Sequence, residues 1–232
     1  MFLNIFEKKK HLITLLFSTL LCNIANAGET QLESTYLRLD AGLTQSSEKL
    51  GNNDTYYNQN LDGAELYGFG AGYIFNENIR TDLTLTGRTN SKFTYEGEYS
   101  GNSVSANQNI SSTTLMLNAY YSLPINNTFS PYVNAGLGAA RISMGDYSSS
   151  YNSGEATYSI SSSTNYNFAW NLGLGGQMKL SNNLAFDAFF RFIDFGKTKT
   201  QYKSMSNDNT PDAVSPFSLR SYETGISLIY RF

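Results

Sequence analysis

Beyond its first 27 residues the chain has no cysteine and no histidine, because its single Cys (Cys22) and single His (His11) both stand near the N-terminus. Residues 28–232 therefore cannot form a disulfide, a thiolate nucleophile, a Ser–His triad or a His-ligated zinc site. No cofactor is expected. Long apolar runs are also missing past Ile24, which excludes a spanning helix of roughly 20 apolar residues. Charge is sparse, at 15% of the chain. Taking the three Lys and one Glu of the first 27 residues from 16 basic and 19 acidic residues leaves 13 and 18, a formal charge of −5. That sign argues against nucleic acid as a partner.

The N-terminus carries a targeting pattern. Lys8, Lys9 and Lys10 precede an apolar run from Leu12 to Ile24, and Ala25-Asn26-Ala27 supplies small residues before Gly28. This reads as a secretory signal peptide over residues 1–27, leaving a mature domain at 28–232. The run is too short for a membrane anchor, and Leu21 before Cys22 is bulky where a lipoprotein signal needs a small residue.

Aromatic residues make up 14% of the chain, and the mature domain alternates apolar and polar residues with a period of two in segments of about ten. Such alternation sorts residues onto the two faces of a strand. It predicts eight strands, at 36–44, 65–75, 79–88, 112–123, 132–143, 166–179, 184–193 and 222–232. In the first, Leu37, Leu39, Ala41 and Leu43 oppose Arg38 and Asp40. In the seventh, Phe186, Ala188, Phe190 and Phe192 oppose Asp187 and Arg191. The last places Tyr222, Thr224, Ile226, Leu228, Tyr230 and Phe232 on one side, and its finish in Phe is similar to the insertion signal of bacterial outer-membrane barrels. Tyr222, Ile226, Leu228, Tyr230 and Phe232 are the residues expected to carry that signal to the barrel-assembly machinery.

Connection lengths set the topology. The links at 76–78, 124–130 and 180–183 are short, while those near 45–63, 89–111, 144–165 and 194–220 are long. Strict alternation of short and long links predicts an all-β, eight-stranded antiparallel up-and-down transmembrane barrel, with three short periplasmic turns and four long external loops. Its apolar face would meet outer-membrane lipid and its polar face the lumen. Aromatic residues group near the strand ends, with Tyr73, Phe75, Tyr121, Phe186, Tyr230 and Phe232 at one level and Tyr67, Phe69, Phe168, Trp170, Phe192 and Tyr222 at the other, as two interfacial girdles require.

Three groups of residues invite a functional reading. Arg38, Asp40, Arg80, Asp82, Asp187, Arg191, Glu223 and Arg231 fall on inward faces, where charges must pair or be hydrated. They read as a structural lumen network, since each acid has an Arg to keep it ionised, and no catalytic site is expected. Gly68, Gly70, Gly72, Gly173 and Gly175 alternate within strands with no helix after them. They are read as space for Arg and Tyr side chains rather than as a phosphate loop. Tyr56, Tyr57, Phe93, Tyr95, Tyr99, Tyr147, Tyr151 and Tyr158 lie in the long links among Ser, Asn and Gly, a mixture suited to binding and equally consistent with solvated, variable loops.

Gly70-Ala-Gly-Tyr-Ile-Phe-Asn-Glu-Asn-Ile-Arg-Thr-Asp-Leu-Thr84, Pro131-Tyr-Val-Asn-Ala-Gly-Leu-Gly-Ala-Ala140, Asn182-Asn-Leu-Ala-Phe-Asp187 and Phe190-Arg-Phe-Ile-Asp-Phe-Gly-Lys-Thr198 resemble the opacity-type surface antigens of the outer membrane, and among them the adhesins of rickettsia-like alphaproteobacteria. The matches fall on turns and strands across nearly the whole mature chain, while the long links match nothing in the family. The resemblance implies an eight-stranded, porin-like barrel in a Gram-negative outer membrane, some of whose members bind host proteins; a monomer is expected. Two readings of function stay open: an adhesin-type binder of a host or serum protein through the external loops, and a small porin-like channel or purely structural barrel.

Overall fold

The computed structural model describes residues 34–46, 57–61, 63–99, 102–151, 156–160, 162–198 and 217–232. The expected signal peptide lies outside these residues. The described chain forms eleven strands: β1 Thr35–Ser46, β2 Tyr57–Leu61, β3 Ala64–Ile74, β4 Ile79–Tyr99, β5 Asn102–Ser122, β6 Phe129–Met144, β7 Tyr147–Tyr151, β8 Ala156–Ile160, β9 Ser163–Lys179, β10 Leu184–Thr198 and β11 Phe217–Arg231. Eight of them close a ring in the order β4-β3-β1-β11-β10-β9-β6-β5, with β5 returning to β4. Every pairing is antiparallel, and closure removes all edges from the membrane-spanning part.

Register follows from the alternation. A one-residue slip would turn every apolar side chain inward. In the observed pairing Leu39 meets Leu228 and Phe69, and Ala41 meets Ile226 and Tyr67, so the apolar faces of neighbouring strands coincide. This face points outward: Leu39, Leu43, Leu117, Leu137, Phe168 and Leu172 are each more than half exposed. A soluble barrel would bury them. Phe190, Phe192, Tyr222 and Trp170 form a continuous ring cluster toward one end, while Tyr73–Phe75 and Tyr230–Phe232 pair at the other.

The three short turns share one device. Asn76 Oδ1 accepts from the backbone N–H of Asn78 and of Ile79, both at 2.9 Å. Asn126 Oδ1 does the same for Thr128 and Phe129, at 2.9 and 2.7 Å, and Ser181 Oγ accepts from Leu184 N–H at 3.1 Å. A side-chain acceptor at the turn's start replaces a backbone partner and fixes the chain reversal.

The other end differs from the expected loops. β4 and β5 each run for 21 residues, about twice the 9 to 11 that a tilted strand needs to cross a bilayer. Most of the segment expected as a loop at 89–111 is strand, paired from Ser91↔Ile110 out to Tyr99↔Asn102. The physical reason is that its residues are polar on at least one face, which satisfies a solvated hairpin as well as a loop. Beside it, β2 adds to β4, β7 adds to β5 and β8 adds to β7. Two irregularities mark the transition, a register shift between Arg88 and Ser91 and another between Asp194 and Lys197. In the second, Gly196 takes φ 79° and donates its N–H to Asp194 Oδ1 at 2.8 Å, a backbone geometry that favours glycine.

The interior is not polar throughout. Ile110, Met116, Ala140, Ile142, Met144, Ala169, Ile193, Phe195 and Leu219 form a buried cluster in the half of the lumen nearer the long connections, and Leu66 on β3 is wholly buried. Tyr36, Ala185 and Ile229 make a smaller cluster near the short turns. The lumen is packed like a soluble core at both ends, with its charges between.

Candidate functional site

Inward parity brings Arg38, Asp40, Arg80, Asp82, Asp187, Arg191 and Glu223 into the lumen, all buried. Arg38 on β1 donates Nε to Asp40 Oδ1 at 2.9 Å, Nη1 to Asp82 Oδ2 at 3.1 Å and to Tyr120 Oη at 2.6 Å, and Nη2 to Ser227 Oγ at 2.8 Å. Four strands are thereby tied through one guanidinium. Asp82 also accepts from Tyr36 Oη at 3.0 Å and from Asn118 Nδ2 at 2.8 Å. Asn171 Nδ2 donates to Asn118 Oδ1 at 2.9 Å and Asn134 Nδ2 to Asn171 Oδ1 at 3.0 Å, so the network circles the wall.

A second ion pair crosses the barrel. Arg80 Nη2 on β4 lies 3.3 Å from Asp187 Oδ2 on β10, and Tyr132 Oη donates to Asp187 Oδ1 at 2.8 Å. The guanidinium sits 4.2 Å from the Tyr120 ring centre and 4.9 Å from that of Tyr132. These ring faces supply the electrostatic partner for Arg80 Nε and Nη1, which have no hydrogen-bond acceptor.

A third unit lies nearer the long connections. Glu223 on β11 takes Arg88 Nε on one oxygen and Arg191 Nε on the other. Arg88 stacks 4.8 Å from the Phe195 ring centre, and Arg191 lies 5.2 Å from that of Phe189. Arg88 is the functional residue that sequence reasoning missed. The alternation that sends Arg80, Asp82 and Thr84 inward continues through Thr86 to Arg88, so its signal lay in the pattern, at the strand end where the reading stopped. Arg231 stands apart from these pairs, half-buried, donating Nη2 to Gln177 Oε1 at 2.7 Å. Among the described residues these three units join four guanidinium groups to four carboxylates.

The glycines make this crowding possible. A Cβ at Gly70 would lie 2.9 Å from Arg38 Cγ, one at Gly173 would lie 2.8 Å from Arg191 Cβ, and one at Gly175 would lie 2.5 Å from Tyr132 Cζ. The cavity at the barrel mouth, lined by Thr44, Arg88, Phe195, Leu219 and Ser221 among others, measures about 30 Å³, room for about one or two waters. Chemically the lumen holds a set of cross-barrel ties. Among the described residues no group of three or more His, Cys, Asp or Glu stands close enough to hold a metal.

The terminal-strand residues Tyr222, Ile226, Leu228, Tyr230 and Phe232 are all exposed on the outer face. Of the aromatic residues expected in the loops, Tyr57 is on β2, Phe93, Tyr95 and Tyr99 are on β4, Tyr147 and Tyr151 are on β7 and Tyr158 is on β8. Tyr56 and the side chains of these seven lie outside the described residues.

A family profile for the outer membrane protein beta-barrel domain matches residues 13–232. The chain belongs to that family. This places the barrel in a Gram-negative outer membrane and accounts for its outward apolar face. Among relatives of this outer membrane protein, a candidate adhesin of Rickettsia bellii is 30% identical over 196 residues, covering 83% of this chain and 86% of that protein. The outer membrane protein PagN of Salmonella typhimurium is 29% identical over 132 residues, covering 56% of this chain and 54% of that one. Among solved structures, Neisserial surface protein A superposes with a TM-score of 0.55 at 16% identity, covering 85% of this chain and 97% of that one. This likeness concerns the fold.

Proposed function

We propose that this outer-membrane barrel is an adhesin-type surface protein, in which the end bearing the long connections faces outward and binds a host macromolecule. The carrying observation is the length of β4 and β5. The membrane needs about half of their 21 residues, and the rest, with β2, β7 and β8 alongside, builds a sheet that has no role in crossing it. The Rickettsia bellii relative named as a candidate adhesin supports the reading. The lumen network argues against the porin-like alternative, because bonds from Arg38, Arg80 and Arg88 cross the interior that solutes would need. An eight-stranded barrel has an interior that side chains can fill, whereas open aqueous channels take about 16 strands.

The test is to replace segments 45–63, 89–111 and 144–165 one at a time with short turns, and to measure adherence to cultured epithelial cells by bacteria displaying each variant. The barrel should still assemble, since only the rim of the closed ring, Ile110 and Met144 of the buried cluster included, falls within the three segments and the pairings that cross the membrane lie outside them. Adherence should fall in at least one variant. Three assembled variants that adhere like the parent would defeat the proposal and favour a structural or porin-like role.

A further inference from the structure

The sheet beyond the barrel is built from β2, the far halves of β4 and β5, β7 and β8. Residues directly opposite in a ladder share a face, and residues two apart along a strand share it too. Phe93, Tyr95, Gly97 and Tyr99 are alternate positions of β4. Their partners on β2 are Leu61, Gln59 and Tyr57, and on β5 they are Gln108, Ala106, Val104 and Asn102. Val104 and Ala106 in turn oppose Tyr151 and Ser149 on β7. Ser149, Tyr151 and Tyr147 then oppose Tyr158, Ala156 and Ile160 on β8.

All seven described aromatic positions of this sheet therefore fall on one face. They come from four strands separated by up to 101 residues in the chain, and only the register unites them. The same face holds no charged residue among these positions. The opposite face carries Asn58, Asn60, Lys92, Thr94, Glu96, Glu98, Ser103, Ser105, Asn107, Asn109, Ser148, Ser150, Thr157 and Ser159, polar or charged at every position. The aromatic face continues the inner side of the barrel wall, since Ile110, two residues after Gln108 on β5, packs in the lumen cluster.

We propose that this charge-free aromatic face, rather than the tips of the connections, is the docking surface for the partner, and that the partner presents an uncharged apolar surface of a protein. The inference rests on the adhesive reading above. Two arguments select the occupant. A sheet with aromatic and aliphatic positions on one face and polar positions on the other must bury the first against something apolar. The chain's own remaining segments suit that poorly: 47–56 contains Glu48, Lys49 and Asp54, and 199–216 contains Lys199, Lys203, Asp208 and Asp212, charges that would be desolvated without partners on this face. The absence of charge also disfavours a polyanionic glycan, which needs Arg or Lys to recognise it. Tyr-rich surfaces with Ser, Asn and Gln between them are the composition of protein-binding paratopes.

The experiment uses the full mature chain in lipid nanodiscs, with binding to epithelial cells read by flow cytometry. One variant carries Tyr95→Lys and Tyr151→Lys on the aromatic face; a second carries Thr94→Lys and Ser150→Lys on the polar face. The pair Tyr95→Asn and Tyr151→Asn serves as a milder version, and each variant is first shown to keep the heat-sensitive gel mobility of a folded barrel. The aromatic-face pair should weaken binding by roughly tenfold or more, as loss of central aromatic anchors does, and the polar-face pair by less than about twofold. Trypsin treatment of the cells should abolish binding and glycosidase treatment should leave it. If the parent binds and the two faces respond alike, or if glycosidase abolishes binding while trypsin does not, the aromatic-face proposal is wrong and the adhesive reading survives. If the parent does not bind, the adhesive reading itself falls.

Discussion

Glu223 holds both Arg88 and Arg191, and it is fully buried. The isosteric change Glu223→Gln keeps its volume and removes its charge, leaving two guanidinium groups facing each other across a space from which water is largely excluded. Removing one partner of a buried ionic cluster costs about 3–5 kcal/mol, because the remaining charge stays desolvated. For a chain of this length about 1 kcal/mol shifts the midpoint by about 2–4 °C, so the variant should unfold roughly 6–20 °C below the parent. The assay is the temperature at which the folded gel band converts to the unfolded one in a fixed detergent. Replacing the whole unit, with Glu223→Leu, Arg88→Met and Arg191→Met, should recover most of the loss, since apolar substitutes of similar size avoid the desolvation altogether. A Glu223→Gln protein that unfolds within about 2 °C of the parent would refute the assignment of this cluster as a structural tie.

Planar-bilayer recordings of the pure protein should show no steady, large, solute-permeable conductance, and such a channel would show that the cross-barrel bonds open. Gly72→Ala would place a Cβ 2.6 Å from Tyr36 Cε1, whereas Gly87→Ala meets nothing within 4 Å. The first should destabilise the barrel by about 1–3 kcal/mol and the second by less than about 0.5 kcal/mol, and equal denaturant midpoints would contradict the packing described. Mass spectrometry of the protein from outer membranes should find Gly28 as the first residue; retention of 1–27 there would remove the signal-peptide reading.

The eight barrel strands were legible because the membrane makes alternation obligatory. Leu39, Leu117 and Leu172 could only face lipid if Arg38, Asn118 and Asn171 faced inward, and each does. What alternation could not show is the apolar plug of Met116, Ile142, Ile193 and Phe195, because an inward apolar residue between outward apolar ones looks like a break in the pattern. The far halves of β4 and β5 resemble a loop in sequence for the opposite reason: past Ser91 no lipid enforces apolar residues on either face, and Ser, Asn and Gly suggest irregular chain. The aromatic spacing at Phe93, Tyr95 and Tyr99 was visible, but its agreement with Tyr57, Tyr151 and Tyr158 depends on inter-strand register, which no single strand contains. Arg88 was within reach of the same period-two argument as Arg80.

The adhesive role depends most on which end of the barrel faces outward, and the absence of cysteine from residues 28–232 allows a clean measurement. Single variants Ser100→Cys, between β4 and β5, and Asn182→Cys, in the short turn before β10, are exposed on intact bacteria to a membrane-impermeant maleimide. Ser100→Cys should label on intact cells, and Asn182→Cys should label only after the outer membrane is permeabilised. Labelling of Asn182→Cys on intact cells with Ser100→Cys protected would invert the barrel and remove the extended sheet from any partner outside the cell.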